Sequence, residues 1–318
     1  MREVLSLLSD SKFHSGEELG EALGVTRAAV WKRLKKLETV GITVHSVKGR
    51  GYRIPERLIL LEEGRLRAAG VASEIAIDIP FDTPSTNDVL KQKIALGARL
   101  PALVVTEHQT QGKGRRGRIW ESGVAKNITM SFAWKFEQGP SVVEGLSLAV
   151  GVVIAQVLRN LGVPNPGLKW PNDILIDGQK ICGILLEMIA DQDVCRVVIG
   201  IGLNVESTPE QQARVDQPWT DLTSRLSFTP DRNEIIAQIT QGLVEVCEVF
   251  EQGNGLAHYH AQWQAFDMLY NQPVMVFSGN RQQTGIARGV DTSGALKLET
   301  NDGMELLHGG EISVRKQA

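Results

Sequence analysis

One stretch limits the fold more than any other. Between Glu144 and Arg159 lie fourteen residues, Gly145 to Leu158, without a single charge. A membrane-spanning helix needs about 20 apolar residues, so this run predicts a buried core helix within a longer helical segment over 142–161. A helix that is apolar on every side needs protein on every side. The rest of the chain must supply those layers, and 318 residues allow two or three domains.

The remaining pattern mixes elements. Alternation predicts strands over 75–81, 100–106 and 128–136. Helices are predicted over 87–96 and 231–252, with turns at Asp177-Gly178-Gln179 and Asp191-Gln192-Asp193. Strands and helices do not alternate as βαβ units, which favours α+β over a doubly wound sheet. From 271 to 318, short strands over 273–277, 284–290, 295–298 and 304–307 are separated by glycine-containing turns, the pattern of a small β-barrel. Three cysteines, Cys182, Cys195 and Cys247, are too few and too scattered for a disulfide framework or a zinc cluster, and fit a reducing cytoplasm. The N-terminus lacks the apolar run of a signal peptide.

Charge is distributed unevenly. The net charge of −3 excludes a uniformly basic coat, yet the first 55 residues carry ten Lys/Arg against six Asp/Glu. Glu17 to Leu23 reads as a short helix broken by Gly24, and Thr26 as the N-cap of a second helix over 27–37. Val30, Leu34 and Leu37 recur at the helical period, which sets Lys32, Lys35 and Lys36 on the opposite face. Residues 44–54 then alternate around Lys48-Gly49-Arg50-Gly51, as a β-hairpin wing does. The segment therefore predicts a winged helix-turn-helix for DNA, with Thr26, Arg27, Ala28, Lys32, Lys35, Lys36, Lys48 and Arg50 facing phosphates or base edges. Trp31 is assigned to packing.

Two denser patches follow. Gly112-Lys113-Gly114-Arg115-Arg116-Gly117 spells G-x-G-x-x-G after a strand, but the residues behind it do not open the helix that a dinucleotide fingerprint needs. A glycine-jointed cationic loop either folds over an anion or is merely solvated, and solvation alone does not need the glycines. Lys169-Trp170-Pro171-Asn172-Asp173 precedes a strand, and Lys180 opens the apolar strand after it, either as a solvated strand end or facing an anion. No Walker A, G-x-S-x-G or H-E-x-x-H sequence occurs.

Ser85-Thr86-Asn87, the block Glu107 to Arg118, Lys169 to Asp173 and Lys180-Ile181-Cys182-Gly183 together resemble the signature blocks of the biotin protein ligases, in the family's order. With the winged helix in front, the chain is similar to the family's bifunctional repressor form over nearly its whole length. The resemblance implies a three-part α+β protein: a winged helix over 1–58, a mixed-sheet catalytic domain over 59–270 and an SH3-like β-barrel over 271–318. It implies a two-step reaction. Biotin and MgATP give biotinyl-5′-AMP and pyrophosphate, and the biotinyl group passes to a lysine of the biotin carboxyl carrier protein. Ser85, Thr86, Asn87 and Gln109 match biotin-contacting positions, although Ser85 or Thr86 also suits an N-cap. Arg115 and Lys180 match the cations that offset the meeting of two anions. Gly112, Lys113, Gly114 and Arg116 lie on the same closing loop. Lys169, Trp170, Asn172, Asp173 and Gly183 match positions near the adenylate, with Asp173 as a metal or amine-orienting group. Gly202 and Asn204 match the nucleotide side, and Trp219 an aromatic that stacks on adenine. Lys113 departs from the family's usual arginine and lacks its planar fork.

The same resemblance implies a homodimer on operator DNA with the adenylate as corepressor; no metal ligands are assigned, and the short apolar run leaves no membrane partner expected. A ligase that no longer represses, a non-enzymatic biotin sensor and a lipoate ligase on the same core are the alternatives.

Overall fold

The computed structural model describes residues 1–190, 193–208, 211, 214–215, 217–279, 281–310 and 312–316. The predicted turn at 191–193 lies mostly outside them.

Three short helices open the chain: α1 (Arg2–Leu8), α2 (Gly16–Ala22) and α3 (Arg27–Thr39). Ser15 and Glu18 form a reciprocal capping box on α2. Thr26 caps α3 by accepting from Ala29 N at 3.3 Å. Val30, Leu34 and Leu37 are buried against Val4, Leu5 and Leu8 of α1, a helix the sequence pattern did not reveal. Strands β1 (His45–Val47) and β2 (Gly51–Arg53) make the wing. Gly51 has φ +99°, and a Cβ there would lie 2.0 Å from His14 O, so only glycine fits this corner. Trp31 corrects an expectation: it is 52% exposed, because Val30, Leu34 and Leu37 already fill the inner face.

The central sheet has seven strands, in the order β3-β5-β7-β11-β10-β9-β8. These are β3 (Ala76–Asp78), β5 (Ala102–Thr106), β7 (Asn127–Phe136), β8 (Gly167–Lys169), β9 (Asp173–Ile176), β10 (Gln179–Ala190) and β11 (Cys195–Asn204). Only β3 and β5 run parallel; every other pair is antiparallel, as an α+β fold requires. A separate two-stranded parallel pair joins β4 (Asp82–Thr83) to β6 (His108–Gln109). Helix α4 (Glu63–Ala68) follows the wing, and helix α5 (Thr86–Ala95) covers one face of the large sheet, packing Leu90 against Val104, Ala133 and Val198. The other face carries α6 (Leu146–Asn160) and α7 (Arg232–Glu251).

Helix α6 is the uncharged run. It starts later than the pattern suggests. Pro140–Val143 is a separate 3-10 turn, and Gly145 between them has φ +77°, with Leu256 where a Cβ would stand. Together they span Pro140–Asn160, enough by length and composition to cross a membrane, but most of the span is buried inside the protein. Each fully buried Leu, Ile or Val there contributes about 1.5–3 kcal/mol, and the burial is against β8, β9, β10 and α7.

Helix α8 (His260–Phe266) leads to five antiparallel strands: β12 (Pro273–Ser278), β13 (Arg281–Val290), β14 (Leu296–Thr300), β15 (Gly303–Leu307) and β16 (Ile312–Lys316). Their order is β15-β14-β13-β12-β16, and the fifth strand was not legible in the pattern. Val274, Leu296, Leu298 and Val314 join the same hydrophobic core as the central sheet.

The winged helix is also tied to the core. Val124 and Ala125, which follow the cationic loop, sit in one cluster with Ile54, Leu58 and Leu60. Behind them Arg232 and Glu107 form a fully buried ion pair at 2.6 Å. Its spare hydrogen-bonding capacity goes to the linker, with Leu61 N on Glu107 and Arg232 on Ile59 O.

Candidate active site

The site begins at the N-terminus of α5. Ser85 occupies the N-cap position but makes no side-chain cap bond. The capping comes from a residue far along the chain: Gln109 Oε1 accepts from Thr86 N at 2.8 Å and from Thr86 Oγ1 at 3.1 Å. Ser131 Oγ on β7 lies 2.6 Å from both Thr86 Oγ1 and Asn87 Oδ1, with one proton to give. Asn87 donates to Glu187 at 2.7 Å. Ser85, Thr86 and Asn87 are all buried, so this is a preformed polar floor.

Above that floor lies the cationic loop. It is a closed hairpin in hydrogen bonding, with Trp120 N on Gly112 O at 2.9 Å and Gly114 N on Arg118 O at 2.8 Å. No helix follows it, so the G-x-G-x-x-G match carries no dinucleotide site. Arg116 takes the left-handed conformation, φ 58°, inside a 3-10 turn. Three of its four cations have protein partners. Lys113 pairs with Asp88, Arg115 donates to Asn172 Oδ1 and to the carbonyls of Gly309 and Gly310, and Arg116 reaches Ser313. The loop therefore bridges the core and the C-terminal sheet.

Trp120, at the end of the loop, was not singled out from the sequence. Its ring lies on Gly202, where a Cβ would meet it at 2.3 Å, and beside Gly183. Gly202 is thus required by this ring, whereas a Cβ at Gly183 would meet it at 3.5 Å, an ordinary contact. The register of β10 against β9 shifts between Lys180 and Cys182. That bulge turns Lys180 toward Trp120, with Nζ 6.0 Å from the ring centroid and 3.1 Å from where a Gly183 Cβ would stand. Lys180 Nζ lies 2.7 Å from Asp173 Oδ1, an ion pair without hydrogen-bond alignment.

Lys169 joins this group. Burial holds its ammonium below the usual lysine value; Asp173 opposes that, while Lys180, Arg315 and Arg118 add to it. Lys180, Arg315 and Arg118 thus lie near enough to Lys169 to bear on its charge, and Lys180 alone pairs with Asp173. Arg315, on β16, was missed because it arrives from another domain. Two of the expected residues lie outside the lining of the inner recess. Trp170 is buried at 2% exposure, with Nε1 donating to Gly294 O, and packs against the C-terminal sheet. Asn204 is buried in β11, paired with Asn127 and the carbonyl of Thr220. Trp219 is half-buried, and its segment hydrogen-bonds the backbone of Lys180, which places it at the rim; Asp216 beside it lies outside the described residues.

The space is in two parts. An inner recess of about 50 Å³ is lined by Thr86, Gln109, Trp120, Lys180, Gly183 and Gly202, among others. It opens on a cleft of about 1340 Å³ walled by the loop, Asn172 and, from the winged helix, residues 38–42.

Comparison with known proteins now decides the family. Residues 79–204 match the biotin/lipoate A/B protein ligase family, 1–53 an HTH domain and 270–315 the biotin protein ligase C terminal domain. The bifunctional ligase/repressor BirA of Salmonella typhimurium is 39% identical over 313 residues, 98% of this chain and 96% of that protein. The chain belongs to the bifunctional ligase/repressor family of biotin protein ligases. The biotin–[acetyl-CoA-carboxylase] ligase of Mycobacterium tuberculosis is 34% identical over 74% of this family member and 88% of its own length. In structure, the biotin protein ligase from Aquifex aeolicus, solved with biotin and ATP, shares the fold with a TM-score of 0.65 at 23% identity. It covers 76% of this chain and 99% of its own.

On the DNA side of this family member, Lys35 pairs with Glu38 at 2.7 Å and Arg33 with Glu3 at 3.0 Å, whereas Lys32, Lys36, Lys48 and Ala28 are exposed. Arg50 and Arg53 stack on Phe13, at 4.4 and 4.9 Å, which stiffens the wing.

Proposed function

We propose that this chain makes biotinyl-5′-AMP from biotin and ATP, transfers the biotinyl group to one lysine of a biotin carboxyl carrier protein, and represses biotin-synthesis genes with the adenylate as corepressor. The observation that carries the catalytic part is the bulged Lys180, set beside Asp173 on the same recess as Thr86 and Gln109. Biotin needs apolar walls and a few aimed hydrogen-bonders for its ureido edge. The Ser85–Thr86–Ser131–Gln109 floor supplies the latter, and Trp120 with Met130 and Ile201 the former.

In the first step a biotin carboxylate oxygen attacks the α-phosphate and pyrophosphate leaves. Lys180 and Arg115 counter the charge that builds there, and Lys169, Arg118 and Arg315 provide a cationic place for the departing pyrophosphate. In the second step the carrier lysine attacks the anhydride carbonyl. An amide forms, AMP leaves and the amine releases its proton. Asp173, close to Lys180, is the carboxylate suited to orient that amine. Mg²⁺ arrives with ATP. Among the described residues no three His, Cys, Asp or Glu side chains converge, and Asp173 is the carboxylate that would help hold an ion bound mainly to the phosphates. A recess of about 50 Å³ is far below a usual ligand pocket, so ligand binding displaces Trp120 and the loop, and closure then keeps water from the anhydride.

The winged helix, core and C-terminal sheet divide at 58/59 and 270/271 in this reading. The adenylate-loaded core homodimerises and sets two winged helices on a two-fold operator. Three buried, free cysteines support a reducing, cytoplasmic setting. Biotin-dependent ATP–pyrophosphate exchange, run beside an operator gel shift with and without biotin plus ATP, tests both halves. No exchange removes the enzyme; exchange without a ligand-dependent shift leaves a ligase alone.

A further inference from the structure

The loop's first cation is a lysine where the family pattern carries arginine, and its ammonium is engaged inside the protein. Lys113 Nζ lies 2.6 Å from Asp88 Oδ2, in the first turn of α5. The other Asp88 oxygen takes Lys91 at 3.0 Å, and Lys91 also reaches Glu187 at 2.7 Å. Glu187 in turn accepts from Asn87, one of the polar-floor residues. Charges alternate along this chain, from the loop to the floor of the recess. Burial alone would raise the Asp88 carboxyl, but the hydrogen bonds and charges of Lys113 and Lys91 outweigh it and hold the group below its usual range.

The position in the loop matters as much as the pair. Lys113 bridges Ile119 across the hairpin, one residue from both Gly112 and Trp120, whose backbone bond closes the loop's base. Fixing Lys113 therefore fixes the base that presses Trp120 onto Gly202.

We propose that the Lys113–Asp88 pair is a clasp that holds the base of the loop shut, and that Lys113 is a positioning residue for retention of the adenylate rather than a phosphate contact. This deepens the ligase reading and rests on it. A point charge suffices for a clasp, whereas bidentate phosphate binding would favour the arginine fork that is missing. The pair is partly exposed, so its effect is moderate and salt-sensitive.

The test is a release assay on the full chain preloaded with labelled biotinyl-5′-AMP and chased with unlabelled adenylate. Lys113→Met and Asp88→Asn should each speed release about three-fold at low salt, and the difference should shrink at high salt. The double variant should release no faster than Asp88→Asn alone, because that change already removes the Lys113 contact together with the one to Lys91. Lys113→Arg, which keeps the charge, should hold the adenylate like the wild type. Effects that multiply in the double variant, or an Asp88→Asn that releases normally while Lys113→Met does not, overturn the clasp and return Lys113 to the phosphates. A wild type that forms no adenylate overturns the ligase reading and the clasp together, and the exchange assay identifies that case separately.

Discussion

The molecule has two cationic surfaces built for anions, and they are constructed in opposite ways. On α3 the lysines stand on a rigid helix whose far side is locked by Val30, Leu34 and Leu37, and Lys32 and Lys36 face solvent. On the loop the cations sit between glycines, and Lys113, Arg115 and Arg116 are each occupied by protein oxygens. A duplex is a regular lattice of phosphates, so a rigid display of unengaged charge matches it without rearrangement. A single nucleotide must be admitted, enclosed and released, so Arg115 and Arg116 are held by partners that phosphate can replace, while Lys113 holds the base of the loop. The difference teaches that charge count alone does not separate these functions; what each cation already touches does.

The largest expected effect breaks the comparison at its most rigid catalytic point. Lys180 lies on a strand, not on the loop, and so resembles the α3 lysines in being fixed. Lys180→Met should lower the rate of biotin-dependent pyrophosphate exchange by on the order of 10²–10³, the usual loss when one preorganised charge-stabilising group is removed. Ligand-independent DNA binding should be unchanged in a gel shift. A loss under ten-fold would mean that the bulge at 180–182 does not aim this ammonium at the reacting phosphate.

An intermediate effect is expected from the loop. Arg115 holds Asn172 and two carbonyls of the C-terminal sheet, so Arg115→Gly removes both a phosphate partner and a latch. Charge-assisted hydrogen bonds are worth about 1.5–3 kcal/mol, which corresponds to adenylate release faster by roughly ten- to a hundred-fold. Unchanged retention in a release assay would show that the loop's hold on the C-terminal sheet has no part in enclosure.

How legible each surface was in the sequence follows from the same contrast. The α3 surface is local: one N-cap, one apolar period and three lysines within eleven residues, all readable in a line. Even there Trp31 was misassigned, because a linear pattern does not show that three aliphatic residues already fill the inner face. The active site is only partly local. Its loop and the Lys169–Asp173 block were legible as chemistry, and the strands and helices around them as pattern. The contacts that give them geometry span long separations: Gln109 caps α5, Trp120 dictates Gly202, and Arg315 comes from the last strand. The surroundings of Trp170 and Asn204 are hidden for the same reason. Nothing adjacent to them in sequence reveals that Gly294 and Asn127 take their polar atoms. Helix α1 was missed because seven residues with three buried side chains give no full period to read.

The smallest expected effect sharpens the rigid side of the comparison. Lys36 is exposed in the last turn of α3, outside the catalytic cleft. If it neutralises one phosphate, Lys36→Ala should weaken operator and non-operator DNA alike, by a few-fold, and reduce the slope of log affinity against log salt by about 0.9. Pyrophosphate exchange should stay at the wild-type rate, since no loop cation is touched. A variant that loses operator preference while keeping the salt slope would place Lys36 on a base edge instead. The rigid surface would then carry sequence information at its C-terminal end as well as charge.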